Sequence, residues 1–152
     1  MQSRPPLLVA TFALALSAGC ASPSLTGAQS SPLVGAWLVT SARSGGVGKN
    51  MLTFSSDGTF FRSGDTHPNL SGGHGAWKQV GAGEFDATYV AFRFGENREW
   101  IGSTKTTLRI TLGDSPNEFK GTARAVTRDL DDKPLRVGGS KLEGSRIVVD
   151  SQ

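Results

Sequence analysis

The stretch Leu33–Ser41, LVGAWLVTS, decides how the chain is read, because its Gly35-Ala36-Trp37 recurs as Gly75-Ala76-Trp77 in GHGAWKQVG. If the two copies marked a repeat, a third would begin at Ser115, where the chain reads SPNEF. Too few units would then remain for a propeller, whose blades need several copies of the same supersecondary unit. The two copies are therefore read separately, the first as the opening strand of a sheet and the second as a middle strand.

From that strand outward the chain alternates β-forming segments with short turn signals. Asp57-Gly58 separates NMLTFSS from TFFRSGD, and an Asp-Gly between two alternating segments is the strongest short hairpin signal. Similar punctuation stands at Gly81-Ala82-Gly83, Gly95-Glu96-Asn97, Asp114–Asn117 and Asp131–Pro134. No segment beyond residue 30 sustains a helical period, and each connection is too short for a parallel crossover. The expectation is an all-β protein, an eight-stranded antiparallel up-and-down barrel whose closure removes exposed edges. The 20 glycines fit turns of such a fold better than low complexity.

The period-2 pattern predicts what the barrel encloses. In the segment from Trp100, one face carries Gly102, Thr104, Thr106, Leu108, Ile110 and Leu112, and the other carries Lys105 and Arg109. In the next, Phe119, Gly121, Ala123, Ala125 and Thr127 oppose charged neighbours. Inward residues this small predict a cavity; the competing expectation is that Phe54, Phe60, Tyr89 or Phe92 fill the space. In Glu84–Phe94 two faces compete. Tyr89 and Arg93 share one, where an inward Arg would pair bidentately with a carboxylate. The face with Asp86, Thr88, Val90, Phe92 and Phe94 is more apolar at one end and is the expected core face.

The first twenty residues read as an export signal. Arg4 precedes an apolar run from Leu7 to Ala18 that is too short to span a bilayer as a helix. The single cysteine, Cys20, follows LSAG and resembles the modified cysteine of a bacterial lipoprotein signal. That resemblance implies acylation of Cys20 and a membrane anchor, with residues 21–31 a tether of small and polar residues. Ordinary cleavage after Ala21 or Ala28, which discards Cys20, is the alternative. The expected organisation is a signal over 1–20, a tether over 21–31 and one β-barrel domain over 32–150. Localisation is then the periplasmic face of a bacterial membrane, or the secreted fraction if Cys20 is removed.

Charge excludes some partners. The net charge is +3, and removing the signal takes away Arg4 but no acid. The remaining basic residues form no stripe of the kind nucleic-acid binding requires, so no nucleic-acid partner is expected.

Gly35-x-Trp37 in the first strand, followed by the hairpin MLTFSSDGTF, resembles the calycins and small bacterial lipocalin-like domains; the allene oxide cyclase barrel is similar in shape. The resemblance implies that Trp37 closes the barrel floor beneath the guanidinium of a late arginine, for which Arg146 in EGSRIV matches and Arg124 is second choice. A planar cation over an indole face is favourable when shielded from water. The implied function is binding of a small apolar molecule in the cavity, with no cofactor. The alternatives are a cofactor-independent cyclase or isomerase, and a surface-interaction or inhibitor protein.

Candidate ligand-binding residues are Trp77, Tyr89, Arg93, Trp100, Thr104 and Thr106, and the structural floor is Gly35, Trp37 and Arg146. The polar segment Arg62–Trp77 holds both histidines and is the expected functional loop. His67 and His74, with Tyr89 and Arg93, are the weak catalytic candidates, since imidazole titrates near neutrality. The spacing of Asp65, His67 and His74 fits no tight ligand motif, so no metal site is expected. No nucleophile elbow is present, and GGVGKN lacks phosphate-loop spacing.

Overall fold

The computed structural model describes residues 31–66 and 68–150; the expected signal, Cys20 and His67 lie outside them, as does the expected tether up to residue 30. Eight strands pair in sequence order and close into one barrel, with no helix among the described residues. They are β1 (Gly35–Arg43), β2 (Gly46–Phe54), β3 (Thr59–Gly64), β4 (Gly73–Gly81), β5 (Glu84–Phe94), β6 (Trp100–Leu112), β7 (Glu118–Arg128) and β8 (Pro134–Arg146). All neighbours are antiparallel, and β1 closes the barrel against β8 with Trp37 opposite Arg146. The all-β, up-and-down expectation is thus what the chain forms.

Local chemistry sets the turns. Asp57 Oδ1 accepts from the backbone N–H (2.8 Å) and hydroxyl (2.6 Å) of Thr59, and Gly58 takes a φ of 85° between β2 and β3. The glycine-rich stretch before Asn50 folds into a tight hairpin at Ser44-Gly45, with β2 beginning at Gly46.

The barrel is packed unevenly along its axis. Trp37, Phe54, Phe60, Phe85, Phe119 and Ile110 are all essentially inaccessible and fill one end. Their rings interlock: Trp37 lies 5.0 Å from Phe119 and Phe54 stacks on Phe60 at 4.7 Å. Towards the other end the inward positions become Ser41, Thr104, Thr106, Ala123 and Ala125, and the aromatic filling stops at Tyr89, 5.8 Å from Phe60. The interior is thus filled by aromatics at one end and open at the other, while Phe92, expected among the fillers, lies outside.

The expected inward face of β5 is overturned. Phe85, Ala87 and Ala91 are buried, with Tyr89 on the same side, whereas Val90 and Phe92 are 42% and 54% exposed. Asp86 also faces outward and pairs with Arg109 of β6. Phe85 faces the packed end, Ala87 and Ala91 follow inward towards the open end, and the bulkier residues lie in outer cross-strand contacts: Val90 opposes His74, and Phe92 meets Trp100 edge to face at 6.0 Å.

Candidate cavity at the open end of the barrel

Above the aromatic plug lies a cavity of about 410 Å³, within the range of small-molecule sites. Its deep wall is apolar, built from Val39, Leu52, Leu108 and Leu142 on four different strands. Alternation brings Ser41, Asn50, Arg62, Tyr89 and Thr106 inward one layer nearer the mouth. Leu70, from the loop after β3, contributes to the lining and forms an isolated bridge with Arg93.

Arg62 is the least expected of these residues. It belongs to β3, two positions after the plug residue Phe60 and therefore on the same inward face, and is only 6% exposed. Its Nε and Nη2 both donate to Asn50 Oδ1, at 2.9 and 2.7 Å, and Nη2 also donates to Thr66 Oγ1 at 3.1 Å. Asn50 Nδ2 in turn donates to Ser41 Oγ at 3.4 Å, and that hydroxyl donates to Gly48 O at 3.3 Å. One polar chain thus crosses β3, β2 and β1 inside the barrel. Gly64 makes room for it, since a Cβ there would overlap both the guanidinium and Asn50 Oδ1.

The charge inside is one-sided. Arg43, Arg62 and Arg136 line the cavity, and among the described residues no Asp or Glu does. The acids nearest in sequence are used elsewhere: Asp65 Oδ2 accepts from the backbone of Lys49 at 2.8 Å. The Arg109 guanidinium, by hydrogen bond, holds the outer Asp86 carboxyl below its ordinary range.

The expected site residues separate into groups. Tyr89, Thr104 and Thr106 line the cavity. Arg93 lies beside it, in a shallower hollow with Thr66, Asn69, Leu70 and Glu96. Trp77 packs against the plug, 5.9 Å from both Phe54 and Phe85, and its Nε1 donates to Ser55 O at 2.9 Å. Trp100 stands outside, 53% exposed, next to the register shift between Arg93 and Phe94 that interrupts the alternation there. The inward reading of the β6 face thus begins at Gly102, not at Trp100. His74 is exposed on the outer face of β4 against Phe61, with ring centroids 5.1 Å apart.

The three residues expected at the floor, Gly35, Trp37 and Arg146, lie together. Arg146 Cζ lies 4.2 Å from the centroid of the Trp37 ring, and Trp37 Nε1 donates to Leu33 O at 2.9 Å. Arg124 points away from the plug, exposed on β7. The inward position of Arg62 follows from Phe60 by simple alternation, but an arginine is rarely buried, and Arg62 was not among the expected site residues.

In comparisons with known proteins no family model matches the chain, and neither the curated proteins nor the solved structures provide a match. The likeness to lipocalins is therefore one of barrel shape.

Proposed function

We propose that this is an exported, lipid-anchored, lipocalin-like barrel that binds a small, largely apolar molecule without turning it over. The observation that carries the reading is the half-filled interior: an aromatic plug closes one end, and a cavity of about 410 Å³ with an apolar deep wall occupies the other. Trp37 and Arg146 act in this reading as the floor. Export and anchoring rest on the Leu7–Ala18 run and Cys20.

Native mass spectrometry of protein purified from its own host tests the reading. A retained mass of a few hundred daltons, released on denaturation, is the expected result; a protein that is always bare and takes up no small molecule contradicts it. Anchoring is tested separately, since Cys20→Ala then moves the protein from membranes to the soluble fraction.

A second reading, a cofactor-independent cyclase or isomerase, is favoured by the polar layer of Asn50, Arg62, Tyr89 and Thr106 that converges inside the same cavity. Chemical change in the retained molecule during incubation would carry it.

A further inference from the structure

The cavity contains a buried cation that makes no ion pair with any carboxylate among the described residues. Arg62 is more than nine-tenths buried, and among the described residues its side-chain partners are the neutral Asn50 and Thr66. Taking a guanidinium out of water without a counter-ion costs several kcal/mol, and a fold retains such a group when something recurrent supplies the missing charge. Two further arginines, Arg43 and Arg136, line the same cavity nearer the exposed mouth. With no carboxylate on the lining among the described residues, the field along the entry path has one sign and concentrates anions.

We infer that the ligand is an amphiphile with a singly charged carboxylate head, held by Arg62 above the apolar wall, an inference that rests on the small-molecule reading above. The head-group assignment follows from the layering. Arg62 gives Nε–H and one Nη2 hydrogen to Asn50 and the other Nη2 hydrogen to Thr66, which fixes the fork and leaves the two Nη1 hydrogens for an oxyanion. The hydroxyls of Tyr89 and Thr106 line the same layer and can donate to it. Among the described residues Arg62 is the one buried cation on the lining, so a single negative charge is matched; a doubly charged phosphate would remain half unpaired there. Val39, Leu52, Leu108 and Leu142 then receive the apolar body beneath. Arg43 and Arg136 steer the anion at the mouth and do not hold it.

Calorimetric titration of the full barrel with four probes of one chain length tests this: decanoate, decanol, decylamine and decyl phosphate. The expected order is decanoate first, with decanol at least about tenfold weaker and decylamine weaker still. Arg62→Gln should reduce decanoate to the decanol level and leave decanol unchanged, while Arg62→Lys retains part of the preference. Equal binding of decanoate and decanol by the wild type overturns the inference and leaves the small-molecule reading standing. Tighter binding of decyl phosphate than of decanoate overturns the carboxylate assignment. Binding of none of the four overturns the small-molecule reading and this inference with it. The wild-type comparison decides the matter even if Arg62→Gln fails to fold.

Discussion

Arg146 lies across the face of Trp37, its guanidinium carbon 4.2 Å from the ring centroid, and ties the last strand to the segment before the first. The same guanidinium donates to the carbonyl oxygens of Val34 (2.8 Å), Pro32 and Pro116 (3.2 Å by Nη2). Gly35 belongs to this arrangement for two reasons: its φ is 130°, and a Cβ would press on Arg146 Nη1. The glycine of Gly-x-Trp thus lets the arginine reach the indole.

Arg146→Gln should destabilise the barrel by roughly 1–3 kcal/mol, the sum expected for a shielded cation–π contact and its carbonyl hydrogen bonds. Gly35→Ala should cost a comparable amount, roughly 1–3 kcal/mol, through backbone strain and displacement of the same guanidinium. Urea denaturation measures both. Because both act on one contact, the double variant should lose less than the sum of the two.

The empty end makes a contrasting prediction. Ala125→Leu places extra methyl groups in the cavity, so it should leave stability unchanged within about 1 kcal/mol and abolish small-molecule uptake. In a solidly packed interior the same change would cost roughly 1–3 kcal/mol by overpacking. Thermal unfolding and calorimetry on one preparation separate the two cases.

Asn50 is the hinge of the internal polar chain. Asn50→Ala leaves the Arg62 fork without its main acceptor and should destabilise the protein by roughly 1–3 kcal/mol. Addition of decanoate should restore part of that loss, because the ligand supplies an acceptor to the same guanidinium. An equal stabilisation of wild type and variant by decanoate would place its head group elsewhere.

Acid should weaken the β2–β3 turn. The hydroxyl and backbone N–H of Thr59 hold the Asp57 carboxyl below its ordinary value of 3.8. A carboxyl depressed in the folded state contributes its stability above the unfolded value, and that contribution disappears as pH falls through the folded value. Stability should therefore decline below about pH 4, the ordinary carboxylate range. Asp57→Ala should show lower stability at neutral pH and a shallower decline in acid, measured by denaturation at a series of pH values.

The strand order was legible because turn chemistry is local: Asp57-Gly58 and Asp131–Pro134 announce their bends whatever surrounds them. The pairing of Trp37 with Arg146 came from the resemblance to calycin barrels, with Arg124 the alternative, and not from turn chemistry or alternation. The face of β5 was not, since Ala87 and Ala91 bury little apolar area, while Val90 and Phe92 carry a strong hydrophobic signal on the outside. Trp100 misled for a related reason, because a register shift beside it reverses the alternation. Arg62 was hidden by its charge: burial of an arginine depends on Asn50, Thr66 and Gly64, which only the folded barrel brings to it.

The most direct test of a carboxylate amphiphile in the open end is a nuclear magnetic resonance titration of the labelled barrel with decanoate. The account predicts shifts at Ser41, Asn50, Tyr89, Thr106 and Ala123, together with the Arg62 Nε–H resonance, and unperturbed plug residues Trp37 and Phe85. Shifts confined to the outer residues Phe61, Phe92 and Trp100, or an unmoved Arg62 resonance at saturation, would contradict it.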